Sequence, residues 1–181
     1  VSTQDGEAAN PAGDLAGGML GQQKAILDSM LETTIAHEVA HQWWAIGVGS
    51  DSQRAPWQDE SLTNYSAIVY YEDRYGKAKA QQMTDLHLKG AYETARMLGA
   101  PDAPANKPTS AYAGNLQYGA IVYGKGALFY GELRKLLGDE VFFASLREYY
   151  DEYSNRLAPQ NSLRRIFEKN APAQKSQIAA L

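Results

Sequence analysis

The sequence predicts a mainly α-helical fold, and two observations favour this class. Apolar residues recur at helical spacing along most of the chain, beginning with Ile26, Met30, Leu31 and Ile35. No segment of alternating apolar and polar residues competes with that pattern as a strand. The chain has 181 residues, 44% of them hydrophobic and 21% charged, which is enough to bury a core of ordinary size.

Turn residues and prolines set the expected element boundaries. Residues 1–18 are rich in Gly, Ala, Asn and Asp, so we predict a flexible lead-in there and assign residues 19–181 to the domain. Residues 100–110 contain three prolines and are predicted as a connecting loop with a functional role. The helices are predicted at residues 22–46, 59–75, 77–98, 118–137 and 140–153, followed by a short last helix that opens at residues 159–161.

Composition excludes several function classes. The net charge is −4 and no run of Lys and Arg exceeds two residues, so we expect no nucleic-acid partner. No apolar run approaches the 18 or more residues of a membrane span, and no signal peptide is visible. Localisation stays open between cytoplasmic and secreted. The chain lacks cysteine, so any metal must be held by His and carboxylates. Because it does not begin with Met, we expect a fragment of a longer protein.

The segment His37-Glu38-Val39-Ala40-His41 carries the clearest chemical pattern. Residues four apart lie on one face of a helix, so the two imidazoles can bind one tetrahedral Zn²⁺ at roughly 2.0–2.1 Å. Glu38 lies one step around the helix, where its carboxylate can take a proton from an attacking water. A lone His on an apolar face is usually a core residue, but two of the three histidines in this chain stand at ligand spacing.

A third protein ligand is required, because a catalytic zinc site leaves its fourth position to water. Four carboxylates follow within reach of the histidine pair: Asp51, Asp59, Glu60 and Glu72. Eighteen residues separate His41 from Glu60, which stands at the start of the second predicted helix. Two antiparallel helices could bring it opposite the histidines.

These residues resemble a known family. The pattern HEVAH, eighteen residues and Glu60, with Trp57-Gln58-Asp59 directly before it, resembles the zinc metallopeptidases of the M1 aminopeptidase family. A second motif of that family, Tyr-x-Lys-Gly, matches Tyr123-Gly124-Lys125-Gly126, sixty-three residues after Glu60. The resemblance extends from about residue 20 to residue 167.

The resemblance implies a fold, a cofactor and residue roles. The chain would form the helical part of a thermolysin-like catalytic domain that binds one zinc ion through His37, His41 and Glu60. Glu38 would be the general base, and the Tyr123 hydroxyl would stabilise the oxyanion of the tetrahedral intermediate. A peptide substrate and the N-terminal domain of the same protein are the implied partners.

Further polar residues have weaker assignments. Tyr118 could line the same pocket as Tyr123. Asp59 and Asn64 are possible hydrogen-bond partners of the metal-binding histidines, and either could equally be a surface or capping residue. His87 falls in the polar pattern of the third helix and is expected to be exposed.

The sequence departs from the family at two places. The motif Gly-x-Met-Glu-Asn, which binds the free α-amine of the substrate in the family, has only a partial counterpart in Gly17-Gly18-Met19-Leu20. Ala67 stands where the family usually has a further Glu. Two alternatives to an aminopeptidase therefore remain: a non-catalytic peptide-binding descendant, and a zinc hydrolase of a non-peptide substrate such as an epoxide.

Overall fold

The computed structural model describes residues 11–180, with side chains from residue 15 onward. It is 76% helical, and no strand occurs among the described residues, which confirms the mainly α class. The described residues divide into two compact units, one that ends at residue 35 and one that begins at residue 36. Among the described helices, none is both long and apolar enough to cross a bilayer.

The bounds of the helical elements differ from the predicted ones mainly through two π-helical turns. These turns cover Thr84–Lys89 and Gly119–Lys125, and three short 3₁₀ turns cover Pro56–Gln58, Thr109–Ala111 and Pro172–Gln174. The α-helices are α1 Pro11–Ala40, α2 Glu60–Tyr75, α3 Lys77–Met83, α4 Gly90–Met97, α5 Asn115–Tyr118, α6 Gly126–Tyr153, α7 Ser162–Asn170 and α8 Lys175–Ala180.

Helix α1 begins earlier and ends earlier than the sequence predicts. Residues 11–18 are helical, so the expected loop is wrong from Pro11 onward, and residues 1–10 lie outside the described part of the chain. Proline fits the first helical position, and the Ala, Leu, Met and Gln residues that follow are good helix formers that offset the glycines. The division into a lead-in and a domain from residue 19 stays a prediction.

The C-terminal end of α1 opens into wider turns instead of continuing to residue 46. The N–H of His41 still donates to the carbonyl of His37 at 3.2 Å, so the two histidines keep their helical register. Beyond them, the N–H groups of Ile46 and Gly47 donate to carbonyls five residues back. The chain therefore turns away from the helix axis directly after the second histidine.

Helix α2 is the central element of the second unit. Asp59 caps its first turn by accepting a hydrogen bond from the Glu60 N–H at 2.7 Å. Its apolar face packs on α6, where the ring of Tyr65 lies 6.3 Å from that of Tyr130 and 5.8 Å from that of Phe142. Phe142 in turn stacks on Phe167 of α7 at 5.6 Å. This aromatic core fixes the start of α2, which carries Glu60.

Several predicted helices are interrupted or extended. The segment predicted at 77–98 contains the first π turn, within which His87 is half-buried, and burial lowers the pKa of its imidazole. The exposed position expected for His87 is therefore wrong. The predicted break near residue 138 is present as a kink inside α6, at Gly138 with φ of +77°. Helix α8 follows the short helix that the sequence predicts as the last.

Candidate metal centre

His37, His41 and Glu60 bring three possible ligand atoms to one point. The Nε2 atoms of the two histidines lie 3.1 Å apart, and Oε2 of Glu60 lies 3.3 Å from the first and 3.5 Å from the second. Ligands at roughly 2.0–2.2 Å from a tetrahedral zinc are separated by about 3.3–3.5 Å. The three atoms therefore already have nearly the spacing that one tetrahedral ion requires.

Burial supports the same interpretation. His37 is 8% exposed, and among the described residues Oε2 of Glu60 is a buried atom without a hydrogen-bond partner. A buried carboxylate oxygen without a partner is costly, and a cation would remove that cost. Burial acts to raise the pKa of Glu60, but the neighbouring His37 and Tyr123 side chains act against it, and the pKa lies below the ordinary value. The carboxylate is therefore in the charged form that a metal needs.

The ring of His41 is oriented by two oxygen atoms. Its Nδ1 lies 2.9 Å from the carbonyl of Trp44 and 3.3 Å from Oγ1 of Thr63. Because a carbonyl can only accept, Nδ1 carries the proton and the lone pair of Nε2 points to the candidate metal position. Thr63 has no counterpart in the expected motifs, and its spacing from Glu60 gives no signal of this role.

The residues expected to assist the histidines have other partners. Asp59 accepts hydrogen bonds from Ser50 and Ser52, in addition to the N-terminal N–H of α2. The amide of Asn64 donates to the carbonyl of Tyr123 at 2.7 Å. Among the described residues, neither side chain forms a hydrogen bond with an imidazole, and Asp59 is instead a capping residue, the alternative that the sequence also allows.

The remaining candidate ligands are also engaged elsewhere. Asp51 accepts hydrogen bonds from two N–H groups of its own loop. Glu72 forms a two-pronged ion pair with Arg134, with oxygen–nitrogen distances of 2.5 and 3.1 Å. Within residues 15–180, one group of three or more His, Asp or Glu side chains has ligand atoms close enough for a metal, and it is His37, His41 and Glu60.

Glu38 directly follows His37 on α1 and is exposed. Among the described residues, its carboxylate forms no hydrogen bond or ion pair. The adjacent His37 points inward and is buried. A carboxylate that is free and accessible next to a metal position can accept a proton from water there.

Tyr123 reaches the group from the second π turn. Its ring stacks on that of His37 with 5.7 Å between centroids, and its hydroxyl lies near the carboxylate of Glu60. The ring of Tyr118 lies 5.9 Å away, edge to face. Burial and then the nearby Glu60 charge raise the pKa of Tyr123 well above its ordinary value, and the same causes raise the pKa of Tyr118 to about 12. Both phenols are therefore hydrogen-bond donors at neutral pH.

The other residues of the Tyr123–Gly126 motif hold neighbouring segments. The Lys125 ammonium binds both carboxylate oxygens of Asp102, at 2.8 and 3.0 Å, and the carbonyl of Ala103. This attaches the proline-rich connector to the turn that carries Tyr123. A side chain at Gly124 would meet Cβ of Tyr92 at 3.2 Å, so this glycine permits close contact with α4.

Comparison with known proteins identifies the class. The family model described as the Peptidase family M1 domain matches residues 21–181. The chain belongs to peptidase family M1.

Individual relatives agree with this membership. Aminopeptidase N of Lactobacillus delbrueckii subsp. lactis is 27% identical over 130 residues, which cover 70% of this chain and 15% of that protein. Human endoplasmic reticulum aminopeptidase 2 is 28% identical over 134 residues, covering 71% of this chain and 13% of its own length. The chain thus spans a small part of the curated relatives that it matches.

Solved structures share the fold. The M1 zinc metallopeptidase from Deinococcus radiodurans superimposes with a TM-score of 0.61 at 24% identity, over 80% of this chain and 30% of that one. A mutant of the D. radiodurans enzyme, bound to a Tyr-Ser-Ala substrate, gives a TM-score of 0.62 at 23% identity, over 81% and 31% of the two chains.

Proposed function

We propose that this chain forms the metal-binding part of the catalytic domain of a zinc aminopeptidase. The observation that carries the proposal is the convergence of the two Nε2 atoms and Oε2 of Glu60 within 3.1–3.5 Å of one another. Relatives named as aminopeptidases and a structural neighbour bound to a short peptide support a peptide substrate.

His37, His41 and Glu60 would hold one zinc ion. Bound there, the ion supplies Lewis acidity that brings the pKa of water down to about 7. Glu38 then accepts the proton of the attacking water and passes it to the leaving amine. Glu38 suits this role because it adjoins a ligand yet has no partner of its own among the described residues.

Tyr123 would donate a hydrogen bond to the carbonyl oxygen of the scissile peptide as negative charge develops there. One such donor is worth about 10²–10³ in kcat in other hydrolases. Its hydroxyl already points to the Glu60 carboxylate, so it lies beside the position where that oxygen would be polarised.

The first prediction tests the base. In a full-length version of the protein, Glu38→Gln should lower kcat toward aminoacyl-aminomethylcoumarin substrates by about 10²–10⁴, because the water loses its proton acceptor. Zinc content, measured by elemental mass spectrometry, should stay at one ion per chain. Glu140→Gln is the matched control, since Glu140 is an exposed carboxylate on α6 and has no described partner.

Other outcomes would favour the alternatives. Full activity in Glu38→Gln, or full zinc content in Glu60→Ala, contradicts the assigned roles. Zinc binding without turnover of any peptide favours a non-catalytic peptide-binding protein. Hydrolysis of an epoxide in preference to aminoacyl substrates favours the non-peptide hydrolase. N-acetylated substrates serve as the comparison that separates cleavage at a free amino terminus from internal cleavage.

A further inference from the structure

The backbone of the turn that carries Tyr123 is bonded to the helix that carries Glu60. In the π turn, the N–H of Gly126 donates to the carbonyl of Ile121, five residues back. In an α-helix that N–H would go to the carbonyl of Val122. The Val122 carbonyl instead accepts a hydrogen bond from the hydroxyl of Ser61, at 2.6 Å.

A second bond repeats this arrangement one residue further on. The side-chain amide of Asn64 donates to the carbonyl of Tyr123 at 2.7 Å. Ser61 and Asn64 lie three residues apart on α2, so they stand on the same helix face, directly after Glu60. One face of α2 therefore bonds to two consecutive carbonyls of the turn.

The close approach of the two elements depends on the last glycine of the motif. A side chain at Gly126 would collide with the hydroxyl of Ser61 and come within 2.9 Å of its Cβ. Ser61 itself is fully buried. The contact is thus closely packed and excludes solvent. If the Ser61 hydroxyl is removed, bulk water cannot take over its hydrogen bond.

We infer that Ser61 and Asn64 are positioning residues for Tyr123. They hold the backbone at residues 122–123 against the N-terminal part of α2. The metal ligand Glu60 and the oxyanion donor Tyr123 therefore keep a fixed distance from each other. Catalysis is sensitive to this spacing, because a displacement of about 1 Å can cost roughly 100-fold in rate. The inference rests on the proposed function, in which Tyr123 stabilises the oxyanion.

The test uses the full-length protein with Ser61→Ala and Asn64→Ala. Each should lower kcat by about tenfold, leave KM nearly unchanged and retain the zinc ion, because neither side chain touches the metal or the substrate. Ser145→Ala is the matched control: it removes another fully buried hydroxyl, which donates to the carbonyl of Val141 and accepts from the amide of Asn170 on α7, remote in sequence from Tyr123. It should lower stability comparably and leave kcat unchanged.

A double-mutant cycle with Tyr123→Phe separates positioning from general loss of structure. If Ser61 acts through Tyr123, then Ser61→Ala should have no further effect on kcat in the Tyr123→Phe background. An additive loss overturns the inference and leaves the proposed function standing. Wild-type kcat in Tyr123→Phe would contradict the oxyanion role of Tyr123 and overturn this inference, while the proposed zinc site would stand.

A spectroscopic readout tests the position of the ring without turnover. In protein labelled with 3-fluorotyrosine, the ¹⁹F resonance of Tyr123 is assigned by its loss in Tyr123→Phe. It should be single and sharp in the wild type and shifted or broadened in Ser61→Ala and Asn64→Ala. An unchanged resonance in both variants overturns the inference. If the wild type has no activity, only the proposed function fails, and this spectrum still decides whether the two residues hold Tyr123.

Discussion

At the scale of single residues, the candidate metal centre depends on side chains that lie outside its motifs. Two oxygen atoms, from Trp44 and Thr63, orient the His41 ring. The two histidines and Glu60 follow from helix periodicity and from the spacing typical of a family. Thr63 does not, because its contact with His41 depends on how two separate elements pack. Asn64 illustrates the same limit, since its amide is bonded to the Tyr123 carbonyl and not to an imidazole.

Thr63→Val should weaken zinc binding by about tenfold. Loss of a hydrogen bond to a metal-ligating histidine typically costs 10–100-fold in affinity, and the lower end is expected because the carbonyl of Trp44 still accepts from Nδ1. Valine has nearly the shape of threonine, so packing is kept. Competition with a chromogenic chelator measures the dissociation constant.

Thr84→Val is the matched control for that variant. The hydroxyl of Thr84, at the start of the first π turn, donates to the Ala80 carbonyl of α3, remote in sequence from the metal-binding group. Its loss should leave zinc affinity unchanged. Equal weakening in both variants would mean that the Thr63 effect comes from stability and not from the orientation of His41.

At the scale of elements, the sequence predicts where helices occur better than how their turns are wound. The helix over α2 has a clear apolar period, a capping Asp59 and a terminal Gly76 with φ of +86°, so its bounds are nearly those predicted. The π turns have no comparable signal in the sequence. A π turn differs from an α turn by one extra residue, and the amino-acid composition of the segment does not reveal that residue. The turn at Gly119–Lys125 nevertheless decides which carbonyls are available to Ser61 and Asn64.

Gly126→Ala should lower the free energy of unfolding by about 1–3 kcal/mol, because the added methyl group collides with buried Ser61. The collision should also separate the Ser61 hydroxyl from the Val122 carbonyl. Urea unfolding of the full-length protein, followed by circular dichroism, measures the change where the transition of this domain is resolved.

Gly131→Ala provides the comparison within the same helix. An added Cβ there meets only an atom of Tyr65 at 3.5 Å, which is ordinary contact. Replacing glycine by alanine in a helix interior is favourable by roughly 0.5–1 kcal/mol, so this variant should be neutral or slightly stabilised. Similar losses in both variants would rule out steric contact with Ser61 as the cause.

At the scale of the whole molecule, the mainly α class is predictable because it depends on many residues at once. Single errors, such as the expected loop over residues 11–18, do not change it. The second unit is held together by an aromatic core in which Tyr71, Tyr130 and Phe142 are fully buried. Arg134 of α6 also forms two ion pairs, one with Glu72 of α2 and one with Asp139, and the first of these joins the two helices.

The ion pairs of Arg134 should make the free energy of unfolding depend on pH. The hydrogen bond from Arg134 holds the pKa of Asp139 below its ordinary value of 3.8. A carboxyl with a lowered folded-state pKa stabilises the fold above its unfolded pKa, and that stabilisation is lost as pH falls through the folded value. Arg134→Met should therefore flatten the decline of unfolding free energy between about pH 5 and pH 2.

Urea titrations at several pH values in that range measure the slope. Arg147→Met is the control, since Arg147 is an exposed arginine on α6 with no described ion pair, and it should keep the wild-type slope. Identical slopes for wild type and Arg134→Met would mean that the ion pairs of Arg134 do not contribute to the pH dependence of the free energy of unfolding.

Two imidazoles and one carboxylate form a donor set of intermediate hardness, and no thiolate is available because the chain has no cysteine. The affinity of such a set for divalent ions follows the general order, in which Cu²⁺ binds more tightly than Zn²⁺. Nickel and cobalt ions also bind measurably. Which metal occupies the site in a given preparation should depend on supply, from the growth medium or the purification resin, so metal content has to be determined before any activity is compared.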